Sequence, residues 1–340
     1  MIKIQWQWYL WSEISRDELY ALMRLRQEAF SVEQHCAYQD ADGLDPYSRH
    51  LLGWIPPEQI GGAKILVACA RLVPPLCRFD ELAIGRVVTQ SNYRKLGLGR
   101  QLMREASAFT DSVGVKRVRI SAQAQLETFY QSTGFATDSL PYNEDGIPHL
   151  EMLRLLPESS PFQQAGESFD GLRIEPLREV HAALLFDQLA DLSIYQYMQE
   201  RPKADVAALA KRYARLEQGA PPGCGELWLN WLVTDDKSKQ ILGTIQATLY
   251  PQAIAEIGYA FIPKHWGKGY ASTSLRWMVA CLQQRWGMVR VNAQVDQRNI
   301  GSWKALERAG FVRTGECDET LHDVATRDYL YAVIYPDTTR

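Results

Sequence analysis

The chain is poor in the residues that metal and thiol chemistry need. Its 340 residues include only six His and six Cys. Cys36, Cys69, Cys77, Cys224, Cys281 and Cys317 are scattered and form no CxxC pair, so a zinc site is not expected and no metal is assigned. No excess of one charge is present either. A net charge of −3 and a pI near 6.1 provide no global basic field to recruit nucleic acid or acidic membrane. Long apolar runs are absent as well. The opening MIKIQWQWYLWSEISRDEL has no signal-peptide core, and no segment approaches a membrane span. The expectation is a cytoplasmic protein with reduced thiols and no membrane or nucleic-acid partner. The GK[ST] ending of a P-loop and the GxGxxG of a dinucleotide fold are both missing, and no Ser-His-Asp or Cys-His arrangement is evident.

What is present is the balance of an ordinary globular protein, 46% hydrophobic and 23% charged, with length for two cores. The stretch LPESSPFQQAGESFDG, from Leu156 to Gly171, has neither helical nor strand period and is rich in Pro, Ser, Gln and Gly. A linker is placed at 158–168, between domains at 1–157 and 169–340.

Each side of that linker shows the same order of events. In the first half two strands, GGAKILVACARLV and ELAIGRVV, lead to the basic glycine loop NYRKLGLGR. A helix with Leu102, Met103, Ala106 and Phe109 at helical spacing follows, then the strand KRVRISAQ and a short helix ending at Thr133-Gly134-Phe135. In the second half QILGTIQATLY and AEIGYAFI lead to HWGKGYA. The next helix carries Leu275, Met278, Val279, Leu282 and Trp286, and VRVNAQV precedes a short helix ending at Ala309-Gly310-Phe311. Matching elements at an offset near 170–176 indicate duplication of one domain type. Upstream, Ser15-Arg16-Asp17-Glu18 is a capping box, with Leu19, Leu22, Met23 and Phe30 on the buried helix face. In the second half a strand at 172–177 precedes helices near 179–190 and 204–218.

The loop Arg94-Lys95-Leu96-Gly97-Leu98-Gly99 lies between a strand and a helix. Glycines allow consecutive amides to converge, and the helix start adds free N–H groups and the positive end of its dipole. The result is a nest suited to a pyrophosphate. Arg-x-x-Gly-x-Gly at 94–99 resembles the acyl-CoA loop of the GCN5-related N-acetyltransferase (GNAT) family, and FYQSTGF at 129–135 resembles that family's next motif. Through LRQEAFSVEQ, YQDADGLD, IGRVV and DGIPHLEM the first half, roughly 1–156, is similar to the ElaA-type branch. Through LRIEPLREVHAALLF, AEIGYAFIPKHWGKGYA and NIGSWKALERAGF the second half, about 169–335, is similar to the RimJ/RimL-type branch.

The resemblance implies two tandem α/β (α+β) domains, each a mixed, splayed central sheet flanked by helices. It implies an acetyl-CoA-dependent N-acetyltransferase that releases coenzyme A, with the pantetheine arm against Val88 and Thr89 or Phe261 and Ile262. The cofactor loops would be Arg94, Lys95, Leu96, Gly97, Leu98, Gly99 and Arg100, and Trp266, Gly267, Lys268, Gly269, Tyr270 and Ala271. Trp266 departs from the family's Gln or Arg, which places more weight on backbone amides and Lys268. The acceptor would be a primary amine, on a small molecule or a peptide N-terminus, and one or both domains would be active. The alternative is an acyl-CoA-sensing or interaction module without turnover.

An ammonium must lose a proton before it attacks, and a thiolate leaving group benefits from a proton donor. The resemblance points to Tyr130 as that donor in the first domain, where Glu33, Glu144 and His149 are candidate bases by residue type. In the second domain it points to Glu256 as base, with Ser302 near the sulfur and Asn299 at the helix start. Asn299 is equally suited to N-capping.

Overall fold

The computed structural model describes all residues except 1–2, 36–37, 60, 113–114, 116, 156–165, 222 and 336–340. The described residues fall into two compact units, within 3–155 and 166–335. The linker placed at 158–168 lies mostly outside the described residues, and its last positions belong to a strand that begins at Glu167.

Unit 1 contains β1 (Gln5–Leu10), β2 (Arg49–Ile55), β3 (Ile65–Val73), β4 (Leu82–Thr89), β5 (Arg117–Gln123), β6 (Ala136–Thr137), β7 (Tyr142–Glu144) and β8 (Ile147–Leu155). The sheet order is β1-β2-β3-β4-β5-β8-β6, with β7 paired to β8. Every neighbouring pair is antiparallel except β4 and β5. Helix α1 (Arg16–Gln27) starts at the expected capping box, where the Ser15 Oγ accepts from the Glu18 amide and Glu18 Oε2 accepts from the Ser15 amide. Helix α2 (Leu98–Ser112) seats Leu102, Met103 and Ala106 in the core, and α3 (Glu127–Gln131) is short.

Unit 2 contains β9 (Glu167–Phe169), β10 (Leu172–Pro176), β11 (Leu227–Asp235), β12 (Ile241–Tyr250), β13 (Ile254–Phe261), β14 (Arg290–Asp296), β15 (Val312–Leu321) and β16 (Val324–Ile334), in the order β15-β16-β14-β13-β12-β11-β10-β9. Here β13 and β14 are the one parallel pair among the described residues. Its helices are α4 (His181–Leu185), α5 (Val206–Gln218), α6 (Tyr270–Trp286) and α7 (Ile300–Arg308). The helix expected at 179–190 is interrupted: α4 is followed by a separate 3-10 turn at Gln188–Ala190. Strand alternation sends Leu232 of β11 into the cluster with Leu185, Leu209 and Tyr213 of α4 and α5. The adjacent Trp231 goes to the other face, edge-on to Trp277 of α6 at 5.4 Å. The sheet is therefore covered on both sides.

The buried face of α1 carries a charge that the sequence pattern did not indicate. Arg26 is 1% exposed and lies between Leu22, Leu25 and Ala29. Its Nε donates to Asp40 Oδ2 and its Nη1 to Asp45 Oδ1, both at 2.7 Å. Arg71, also 1% exposed, reaches Asp42 Oδ2 at 2.6 Å and Asp45 Oδ1 at 3.0 Å. Arg86 closes the set against Asp40 at 2.6 Å and Asp42 at 3.1 Å. Three guanidiniums thus match three carboxylates. Burial opposes ionisation of Asp42 and Asp45, but hydrogen bonds and charge from Arg71 and Arg26 outweigh it and hold both well below the usual carboxylate range. His50 is held down to about 4 by burial, and one ring nitrogen lies 3.0 Å from the Asp45 carbonyl.

The linkage has one sign. Depressed carboxylates stabilise above their ordinary pKa of about 3.9 and lose that contribution as pH falls, and a His buried neutral adds a penalty once pH drops below about 6.5. Asp45→Asn is expected to cost unit 1 about 3–5 kcal/mol at neutral pH, because it leaves buried guanidinium charge uncompensated. Urea unfolding at pH 7 and pH 5 checks this: the wild-type transition of unit 1 should weaken on acidification, and the variant should begin from a lower midpoint.

Candidate active sites

The parallel pairs are brief. β4 and β5 register only at Leu82 with Val118 and Ala83 with Arg119, while β13 and β14 register at Ile254, Ala255 and Glu256 with Arg290, Val291 and Asn292. Beyond those points the strands part. The remainder of β4 and of β13 keeps antiparallel partners on one edge only, leaving a V with an unpaired backbone edge inside it.

Both V-shaped openings lead into the same loop. A 3-10 turn spans Ser91–Tyr93 in unit 1 and Pro263–His265 in unit 2. Left-handed backbone follows at Lys95 (φ 63°) and Gly97 (φ 81°), and at Gly267 (φ 74°) and Gly269 (φ 86°). Helices α2 and α6 then begin at Leu98 and Tyr270. The two loops align residue for residue at an offset of 172, Arg94 with Trp266 and Gly97 with Gly269. The first amides of each helix have no intrahelical acceptor, so both loops present converging N–H groups. A Cβ at Gly99 would lie 3.3 Å from the Phe129 ring of α3, tight but not prohibitive, and unit 2 carries Ala271 at that place.

The first loop position serves one purpose in both units. Arg94 Nε donates to the Thr89 carbonyl at 3.1 Å, and Trp266 Nε1 donates to the Phe261 carbonyl at 2.6 Å. Thr89 and Phe261 stand at the same offset of 172. Each side chain is thus a strut that ties the loop to the strand end, and an indole N–H fills this role as well as a guanidinium does. Arg94 additionally pairs with Glu33 at 2.5 Å, which occupies that candidate base. Val88, Leu98, Phe261 and Ile262 are buried, so only their backbone is available to a ligand, whereas Lys95, Leu96, Arg100 and Lys268 are exposed.

In unit 1 the V opens onto a cleft of about 150 Å³ lined by residues that include Tyr130, Ser121, Glu144 and His149. Tyr130 on α3 is 7% exposed and packs edge-on to Phe129 and Phe135, at 5.0 and 6.3 Å. Burial pushes its phenol up to about 12, so it remains protonated at neutral pH. Burial favours a neutral Glu144, but the Ser121 hydroxyl at 2.9 Å and the Arg78 charge at 2.7 Å hold its carboxyl below the ordinary value. His149 Nδ1 lies 2.8 Å from the Ile147 carbonyl, which can only accept, so Nδ1 donates there and Nε2 is the ring nitrogen left to face the cleft. The sequence left three candidate bases open. The cleft contains two of them, Glu144 and His149.

In unit 2, Glu256 sits in the last paired register, where the strands part. Tyr250 donates to its Oε2 at 3.3 Å. Asn299 Oδ1 accepts from the Ser302 amide at 3.1 Å, the capping use of Asn. Ser302, in the first turn of α7, lies 2.6 Å from the Tyr259 hydroxyl. Tyr259 was not among the candidates from sequence, and a Tyr in an apolar strand carries no signal that distinguishes it from core. Among the described residues no group of three or more His, Cys, Asp or Glu could hold a metal ion, and no helix is long and apolar enough to cross a membrane.

Comparison with known proteins gives two family matches, each described as an Acetyltransferase (GNAT) domain, over residues 76–156 and 171–312. Protein ElaA of Escherichia coli is 42% identical over 154 residues, covering 44% of this chain and 96% of that protein, and such matches fall on the N-terminal half. A UPF0039 protein of Synechocystis is 39% identical over 159 residues, covering 46% of this chain and 98% of its own length. A solved acyl-CoA N-acyltransferase from Pseudomonas aeruginosa is 38% identical, covers 44% of this chain and 99% of that one, and has a TM-score of 0.40.

The strut leads to an expected outcome. Trp266→Arg should keep coenzyme A affinity in unit 2 within about threefold, because the donor is retained. Trp266→Phe removes one hydrogen bond, worth about 1 kcal/mol, and should weaken binding about fivefold. Calorimetry in a chain carrying Gly97→Glu isolates the unit 2 site for both measurements.

Proposed function

The chain belongs to the GNAT acetyltransferase family, and we propose that both of its units transfer acetyl groups from acetyl-CoA to primary amines by direct attack on the thioester. The observation that carries this reading is the repeated V with an amide-lined loop at its head. The pantetheine arm completes the unpaired strand edge, and the pyrophosphate occupies the loop. The domain division at 158–168 belongs to the same reading.

Each unit has its own pair of proton-handling groups. In unit 1 His149 Nε2 takes the proton from the acceptor ammonium and Tyr130 donates to the departing sulfur. In unit 2 Glu256, at the apex of the V, takes the proton directly or through one water, and Ser302 stands at the sulfur. The acceptor is a small-molecule amine or a peptide N-terminus, and the differing pairs favour different acceptors for the two units.

Calorimetric titration with acetyl-CoA should yield two sites per chain, falling to one in Gly97→Glu and to one in Gly269→Glu, since a carboxylate in the nest repels the pyrophosphate. A single site in wild type would mean that one unit has lost the cofactor, and none would overturn the reading. Glu256→Gln should lower unit 2 turnover by about 10²–10⁴ with acetyl-CoA affinity nearly unchanged, measured as coenzyme A release. Wild-type rates across pH would remove Glu256 from this role.

A further inference from the structure

We propose that Tyr259 is the proton-holding partner of Ser302 in unit 2, a positioning residue that supplies from the strand the phenol that unit 1 supplies from the helix. This rests on the reading of unit 2 as an acyl-transfer site.

The two motif helices end alike: Gly134 and Gly310 have φ of 96° and 95°, and Phe135 and Phe311 donate back to the carbonyls of Tyr130 and Leu306. In that register the place of Tyr130 is taken by Leu306, which is 1% exposed and has no proton to give. On the strand the exchange runs the other way, since at the loop offset of 172 Tyr259 stands where unit 1 has Val87. At these two aligned positions each unit therefore has a phenol on one arm and an aliphatic side chain on the other.

The placement of Tyr259 suits the role. It lies three residues beyond Glu256, on the segment of β13 that β14 has left. Strand alternation turns it to the face opposite Glu256, so acid and base stand on the two sides of the opening. Its hydroxyl donates to the Ser302 carbonyl at 3.0 Å and lies 2.6 Å from Ser302 Oγ. At rest the Ser302 proton points to the phenol. With a thioester sulfur in the V, the phenol proton turns to Ser302 Oγ and the Ser302 proton is free for sulfur. As the C–S bond breaks, its electron pair goes to sulfur, Ser302 Oγ–H delivers a proton to give the thiol, Oγ takes the Tyr259 proton, and the phenolate regains one from water.

The test uses the full chain with Gly97→Glu and titrates bound coenzyme A by its ultraviolet thiolate absorbance. Hydrogen-bond donation to the thiolate lowers the thiol pKa. Tyr259→Phe should raise it by on the order of one unit and slow coenzyme A release from acetyl-CoA about tenfold or more, with the KM for acetyl-CoA unchanged. Ser302→Ala should raise the thiol pKa at least as far, and the double variant no further. If Tyr259→Phe loses coenzyme A binding altogether, Ser302→Ala decides, because it removes one oxygen and leaves the strand intact. Wild-type thiol titration in either binding-competent variant overturns the assignment alone. Failure of the Gly97→Glu chain to bind coenzyme A at all overturns the acyl-transfer reading of unit 2 and this inference with it.

Discussion

Both candidate sites depend on two strands that stay parallel for two or three residues and then separate. A fully zipped parallel pair would use the backbone groups of β4 and β13 on both edges and leave nothing to bind. Here the pairing ends after Ala83 in one unit and after Glu256 in the other. The opening is held from outside. Antiparallel neighbours fix β4 and β13 on one side and β5 and β14 on the other, and helices cover both faces of the unit 2 sheet. In unit 2 the neighbour approaches so closely that a Cβ at Gly243 would lie 2.2 Å from the Ala260 carbonyl, so β12 stays locked to the end of β13, well past the point where β14 departs. In unit 1 a bulge at this stage of β4 places Arg86 in left-handed backbone at φ 52°, with its guanidinium anchored on Asp40 and Asp42.

The two units share backbone and differ in side chains. Left-handed positions, helix starts and the strand-end carbonyl that receives a strut coincide at one offset through the loop. The polar side chains around the two openings do not coincide. One unit has a buried phenol on the short helix and Glu144 and His149 on the β7–β8 hairpin, whereas the other has a carboxylate at the apex of the V and a hydroxyl pair across it. The backbone of the opening is thus held in common, and the side chains around it differ between the units.

Much of this was legible in the sequence. The glycine loops announce themselves because positive φ excludes most other residues, and the stripe of α6 announces itself because burial requires helical spacing. Three features were not legible, each for a physical reason. Arg26 stands on the apolar face of α1, where a charge reads as an interruption of the stripe, and only the fold of 40–45 against it supplies the partners that let it be internal. Trp266 read as a departure from a phosphate-binding pattern, because a one-letter comparison registers charge and misses that both side chains carry an N–H at the needed reach. Tyr259 is distinctive only because β13 runs on past Glu256 with β14 gone from one edge, which no sequence pattern marks.

The matched arginines and aspartates of unit 1 also bear on how this chain can evolve. An exchange at Arg26, Arg71 or Asp45 leaves one buried charge unmatched, at a cost of the order of several kcal/mol against a typical total near 5–15. A single change there consumes much of that total, so a change is tolerated better when its partner changes with it. Among the described residues unit 2 buries no arginine or lysine, and so has no such interlock. The two units therefore meet substitution on different terms: the buried set of unit 1 tolerates change best in compensated groups, and unit 2 carries no such coupling.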